Sequence, residues 1–205
     1  MGHMTPARHL SSRDKTLAKA IRRTTLKPSV PERNYFRSLA ESIIGQQLSG
    51  KAADTITARF TALFPKKPFP TPRDVLTTSP AKIRSAGVSG AKAKYLKDLA
   101  RHVANKRLDF HKFPKWTDEE VIAHLTAVHG IGRWTAEMFL MFSLGRPDVF
   151  SPGDQGLKNA IRKLYGFKKE PTAKQMLRIA ENWRPHRTAA CRYLWKSLTL
   201  PTDGA

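Results

Sequence analysis

The chain holds a single cysteine, Cys191, in 205 residues. That excludes an internal disulfide and any cluster ligated by several cysteines of one chain, and it fits a reducing compartment. Acidic residues are scarce too: 16 Asp and Glu stand against 37 Lys and Arg, a formal net charge of +21. No apolar run approaches the roughly 20 residues needed to cross a membrane, and no secretory leader is recognisable. The expected location is therefore intracellular, in cytoplasm or nucleoid for a bacterial protein and in the nucleus for a eukaryotic one. No repeat or low-complexity tract stands out. The seven histidines are scattered, which offers no spacing for a transition-metal site. Met1-Gly2-His3-Met4 reads as the remnant of a cleaved tag and is left out of the fold.

What remains is a basic, folded chain. A charge of this size favours polyanions through field strength and counterion release, a property shared by structural DNA-binding and ribosomal proteins. Hydrophobic residues make up 40%, with four Trp and ten Phe, enough for a real core rather than a disordered basic tail. Apolar spacing is helical almost throughout. Phe36, Leu39, Ala40, Ile43, Ile44 and Leu48 mark one helix, and Ala52, Ile56, Phe60 and Leu63 the next. The proline-rich stretch Lys66 to Pro72 tolerates neither helix nor strand. Short helices follow at 72–76 and 80–85, with Thr71 and Ser79 as N-caps. A longer one carries Tyr95, Leu96, Leu99 and Val103. Further helices are expected at 118–128, 133–144, 155–165, 172–182 and 187–198, with prolines 114, 152, 171 and 185 marking helix ends. The fold class is all-α.

The most informative stretch is His129-Gly130-Ile131-Gly132-Arg133-Trp134-Thr135-Ala136. Glycines 130 and 132 allow a tight turn between an apolar helix and a second one opening near Arg133. The unpaired N–H groups and positive dipole end of that second helix can take a phosphate without regard to base sequence. Such a turn also serves simply to stop and restart a helix. Downstream, Phe150-Ser151-Pro152-Gly153 leads to Asp154, a carboxylate placed either as an N-cap of the helix from Gln155 or as a catalytic group at a cleft edge. Asp148, ahead of the loop, is the weaker candidate.

Hairpin, helix, Gly/Pro loop and aspartate, over Leu125 to Ile161, together resemble the helix-hairpin-helix DNA glycosylase superfamily. The wording Gly-Ile-Gly-Arg-Trp-Thr-Ala with Asp-Val-Phe-Ser-Pro-Gly-Asp is most similar to 3-methyladenine DNA glycosylases of the AlkA/Mag type. Ser42 to Ala53, with Gln46-Gln47-Leu48-Ser49, is similar to the helix end that such enzymes push into DNA. The resemblance spans about residues 33 to 198. It implies two helical subdomains with a cleft between them: 5–44 with 155–205, and 45–154, the latter carrying the hairpin at about 121–145.

The resemblance also implies roles. Asp154 is the catalytic carboxylate. Trp134, Met138 and His186 belong to the base pocket, His186 standing where these proteins commonly offer another aromatic ring. Gly130, Ile131, Gly132, Arg133 and Thr135 form the phosphate-binding hairpin. Gln47, with Leu48 and Ser49, fills the gap left by a flipped base, and Val88 and Ser89 wedge the opposite strand. Bland alternatives stand beside these: core packing for Trp134, a polar helix end for Gln47, a surface histidine for His186. Bifunctional members carry a lysine where this chain has Trp134, and an indole forms no Schiff base, so monofunctional hydrolysis is expected. The cluster-bearing members need four cysteines, which this chain lacks. No catalytic cofactor is expected. K⁺ or Na⁺ on the backbone carbonyls of Val128 and Ile131 is implied by resemblance. The expected partner is duplex DNA bearing alkylated purines such as 3-methyladenine or 7-methylguanine, bound by a monomer. The competing readings are a glycosylase for oxidised or deaminated purines and a non-catalytic DNA-binding helical protein.

Overall fold

Polar caps decide where the helices of this chain begin. The structure, a computed structural model, describes residues 4–28 and 30–200. Most of the tag remnant (residues 1–3), Ser29 and residues 201–205, which end the expected 155–205 segment, lie outside the described residues. Every regular element among the described residues is helical, as the apolar spacing predicts.

The chain divides into two compact units. The terminal unit joins the described residues up to Val30 to those from Leu144 onward. It opens with α1 (Pro6–Arg13) and α2 (Lys15–Arg22), which meet at Asp14. Neither short helix is read from the sequence, because eight residues hold too few apolar positions to display a period.

The middle unit runs from Pro31 to Ser143. It contains α3 (Tyr35–Gly45), α4 (Gly50–Ala62), α5 (Pro72–Thr77), α6 (Pro80–Ser85), α7 (Gly90–Ala104), a 3-10 segment at Phe110–Lys115, α8 (Asp118–Thr126) and α9 (Arg133–Phe142). Pro114 lies inside the 3-10 segment rather than ending a helix. Helix α3 packs on α4, α7 and α9, and α7 also receives α5 and α6. Leu39, Ile43, Ile44, Phe60, Val75, Ile83, Leu96, Leu99, Phe113 and Leu140 are fully buried there. Each buried side chain of this size contributes about 1.5–3 kcal/mol.

The terminal unit resumes with α10 (Gln155–Leu164), α11 (Ala173–Ala180), a 3-10 turn at Glu181–Trp183 and α12 (Arg187–Ser197). Helix α12 packs on α2 and α10, and α1 packs on the 3-10 turn. Leu10, Leu17, Leu157, Ile161, Met176, Trp183, Cys191 and Leu194 form its interior.

The observed division falls near 30 and 143 instead of 44 and 154. Helix α3 belongs to the middle unit because its buried face is spent on α4, α7 and α9. The loop carrying Asp154 belongs to the terminal unit, where Thr188 Oγ1 donates to Arg146 O and receives Val149 N.

Candidate active site

Among the described residues, ten of the twelve α-helices start on Ser, Thr, Asp or Asn whose side-chain oxygen accepts a first-turn N–H. The exceptions are α9, which begins at Gly132, and α12, which begins at His186; neither has a side-chain cap. Helix α9 thus begins with no side chain capping its first turn. A Cβ placed on Gly132 would meet nothing within 4 Å, so the approach to that turn is open.

The turn before α9 depends on Gly130. Its φ of +86° is left-handed, and a Cβ there would lie 2.3 Å from the Tyr95 ring. Ile131 N donates to Val128 O at 3.1 Å and closes the hairpin. At its entrance Asp98 on α7 accepts both the backbone N–H and Nδ1 of His129, at 3.0 and 2.9 Å. Asp98 is held below its ordinary carboxylate value: burial opposes this, and the His129 hydrogen bonds outweigh it.

Of the residues expected at the phosphate, one is engaged elsewhere and others are buried. The Arg133 guanidinium donates to both oxygens of Glu119 on α8 and to Glu137, which is 4% exposed. Its charge latches α8 to α9, and the hydrogen bond from Arg133 holds Glu119 below the usual carboxylate range. Thr135 is buried, and so is Ile131. Beside its backbone the hairpin exposes the side chains of His129, Arg133 and Trp134.

The 46–49 loop follows α3. Gln47 adopts a φ of +58°, a left-handed conformation costing a non-glycine residue about 1–2 kcal/mol. Leu48 N donates to Gly45 O, and Ser49 caps α4 through Ala52 N. Gln47, Leu48 and Ser49 are all exposed. Gln46 Nε2 donates to Gly130 O at 2.7 Å, and Lys92 Nζ donates to the carbonyls of Ile44 and Gln46 at 2.8 and 2.6 Å. Of the expected wedge pair, Val88 is 3% exposed and packs in the core, so only Ser89 meets solvent, as the cap of α7. Trp134 is 51% exposed at the start of α9, not core, and Met138 is half-buried one turn on.

In the terminal unit, Asp154 caps α10. Its Oδ1 accepts Leu157 N at 2.7 Å and the indole Nε1 of Trp195 at 2.8 Å, and the residue is 7% exposed. A Cβ on Gly156 would stand 2.9 Å from the Trp195 ring and 3.1 Å from Asp154 Oδ1, so glycine there lets indole and carboxylate meet. Asp148 is occupied by Arg184 and Arg187, which removes the competing carboxylate. His186 is half-buried and packs edge-on against His9, 5.1 Å between centroids. Burial, then the neighbouring His9, pushes it below the ordinary imidazole value, with Asp148 pulling the other way.

No group of three or more His, Cys, Asp or Glu suited to a metal occurs among the described residues. The Val128 carbonyl, taking Ile131 N with one lone pair, keeps a second; such neutral oxygens suit a hard monovalent cation.

A helical hairpin with an uncapped second helix, followed by a loop delivering a buried, helix-capping aspartate, defines the class of base-excision DNA repair proteins of the helix-hairpin-helix type. The family model described as "HhH-GPD superfamily base excision DNA repair protein" matches residues 40–185, and the chain belongs to that family. It is 35% identical to the DNA-3-methyladenine glycosylase 1 of Schizosaccharomyces pombe over 196 residues, covering 94% of this chain and 86% of that one. Among solved structures it resembles a DNA-3-methyladenine glycosidase from Bacillus halodurans, with a TM-score of 0.83 and 38% identity over 96% of this chain and 90% of the other. It also resembles S. pombe Mag1 in complex with abasic DNA, with a TM-score of 0.85 and 33% identity over 98% and 100% of the two chains.

Sequence reasoning missed Trp195 as the partner of Asp154, Gly156 as the residue that admits it, and Gln46, Lys92 and Asp98 as supports of the hairpin and the 46–49 loop. Gln46 lay inside the motif already singled out. The others are joined by tertiary contacts that no local spacing reveals.

Proposed function

We propose that this protein is a monofunctional DNA glycosylase that flips N-alkylated purines of the 3-methyladenine and 7-methylguanine class out of duplex DNA and hydrolyses their glycosidic bond. The observation that carries the reading is Asp154: a carboxylate 7% exposed, locked by a helix N-terminus and an indole N–H, at the aspartate position of its family. Relatives matched over almost the whole chain bear the names DNA-3-methyladenine glycosylase and DNA-3-methyladenine glycosidase.

Water attacks C1′, the base departs with the bonding electrons, and the water's proton passes to the Asp154 carboxylate. The sugar becomes oxocarbenium-like on the way. A carboxylate about 4 Å distant, at an effective dielectric near 20, stabilises that charge by about 4 kcal/mol, roughly a thousandfold in rate. A base that already carries positive charge needs no strong acid to leave. The exposed Trp134 offers a π face worth about 0.5–2 kcal/mol to such a base. His186, held toward its neutral form, adds no opposing charge. Where hydrogen bonds have taken the Arg133 charge, the N–H groups opening α9 grip phosphate, and K⁺ or Na⁺ on the Val128 and Ile131 carbonyls would add a positive charge beside it. Gln47 and Leu48 fill the gap left by the flipped base. The substrate places the protein with genomic DNA, in nucleoid or nucleus.

Chromatography of bases liberated from methylated DNA tests this: 3-methyladenine and 7-methylguanine should appear, while duplexes carrying one oxidised or deaminated purine stay intact. Asp154→Asn keeps an oxygen for Leu157 and Trp195 and removes the charge, and should slow single-turnover release by about 10³-fold. Unchanged release by this variant sinks the catalytic assignment. Borohydride should trap no protein–DNA adduct, since Trp134 offers no amine.

A further inference from the structure

We infer that Gln46 and Lys92 are positioning residues that tie the base-gap plug to the phosphate-gripping hairpin, so that both meet DNA at a fixed spacing. The inference rests on the glycosylase reading above and concerns how the middle unit works on DNA.

Gln46 sits at a node. Its side-chain amide crosses 84 residues of sequence to reach the carbonyl of Gly130, the residue whose left-handed backbone makes the hairpin. Its own carbonyl, with that of Ile44, is held by the Lys92 ammonium. Immediately after it comes Gln47, exposed and left-handed. The plug residue therefore projects from a backbone fixed on one side to the hairpin and on the other to the start of α7, where Ser89 caps Lys92 N.

The chemistry of the tie is not that of an ordinary helix end. The C-terminus of α3 presents unpaired carbonyls and the negative end of its dipole, which water or a glycine cap would satisfy. Here a lysine is withdrawn from the surface for the purpose, and burial pushes its ammonium below the ordinary lysine value. The gain is rigidity at the two loops that a flipping enzyme must keep in register: one holds the backbone as the other enters the stack. With the hydrogen bond from the Gln46 amide to Gly130 O in place, a phosphate seated on α9 also sets the height of Gln47 above the helix. Without it, the two loops move independently and the plug enters at an entropic cost.

The experiment compares binding to a duplex carrying a tetrahydrofuran abasic site with binding to the same duplex intact, by fluorescence anisotropy at fixed salt. The ratio of the two affinities reports plugging without requiring any base excision. Gln46→Met keeps the stem and removes the donor. It should cut the abasic preference by about tenfold while affinity for intact DNA changes less than about twofold. Gln47→Ala should cut the preference similarly, and the double variant no further than the larger single effect, since Gln46 acts through Gln47. Lys92→Met, which frees the loop from the opposite side, should behave alike, and Lys92→Arg should restore part of the preference. Multiplying effects of Gln46→Met and Gln47→Ala, or an undiminished preference in folded Gln46→Met and Lys92→Met, overturns the inference. A wild-type protein that does not distinguish the two duplexes overturns the plug reading itself, and the tie with it. Base release lost with the abasic preference intact would instead locate the fault in the catalytic assignment.

Discussion

Leu157 N and Trp195 Nε1 donate to the same oxygen of Asp154, so capping and the catalytic role proposed for it are compatible in one geometry: Oδ1 anchors the carboxylate, and the charge is shared with Oδ2. Asp154 was legible because Pro152-Gly153 precedes it and a helical period follows. Trp195 was legible only as an apolar position on the last helix, since its partner lies 41 residues away. Gly156→Ala drives a methyl to 2.9 Å from the indole. The ring must move, at a cost of about 1–3 kcal/mol, and base release should fall at least about tenfold in single-turnover assays as the carboxylate loses its orientation. Trp195→Phe removes the donor without crowding and should cost about 1 kcal/mol in denaturant unfolding. A Gly156→Ala protein with wild-type release would show that the indole is packing and not support. Val88 illustrates the opposite error. A Gly-flanked turn reads as exposed, yet the valine itself points into the core, because the turn's exposed duties fall to Ser89.

At the scale of elements, the two helices that the sequence hid are tied down by one carboxylate. Asp14 caps α2 through Thr16 N and Leu17 N, and its other oxygen accepts the Tyr165 hydroxyl at 2.6 Å and Trp183 Nε1 at 2.9 Å. Burial, then the Asp14 contact, raises the Tyr165 phenol well above its ordinary value, which keeps it a donor. Asp14→Ala strips a cap and orphans two largely buried donors, an expected loss of about 3 kcal/mol in denaturant unfolding. Nothing in the short, basic α1 and α2 announces this, since the partners lie 151 and 169 residues away. The same corner carries a pH dependence. His9 Nε2 donates to Arg184 O, and His186 faces His9, Asp148 and, through Asp148, the guanidinium groups of Arg184 and Arg187. His186 binds its proton less readily folded than unfolded. Its contribution is therefore present in full above the free histidine value of about 6.5 and is lost as pH falls below it toward the depressed folded value. Thermal unfolding should show Tm falling between pH 7.5 and 5.5, and His186→Gln should flatten part of that fall. An equal fall in the variant would assign the effect to other groups.

At the scale of the whole molecule, charge and helicity were legible because they are sums over many residues, whereas the division near 30 and 143 was not, because it depends on which face of α3 is buried against which neighbour. Summed properties also make the bluntest prediction. A net charge of +21 already counts the carboxylates paired with Arg133, Arg184 and Arg187, so that surplus is left for an anionic partner. Each phosphate neutralised by Lys or Arg releases condensed counterions, so log affinity should fall linearly with log salt, with a slope of about −0.9 per contact. Six to ten contacts imply a loss of about 10³- to 10⁵-fold between 50 and 200 mM salt. On the proposed reading a neutral backbone grip at the hairpin would add affinity with little slope and the plug none, so the salt slope should be the same for intact and abasic duplexes although their affinities differ. Anisotropy titrations at four salt concentrations with both duplexes measure this directly. Parallel lines offset vertically are expected. A steeper line for the abasic duplex would mean that inserting the plug brings further cations onto the phosphates, and a change below tenfold over that range would mean that the surplus positive charge lies away from the DNA-facing surface altogether.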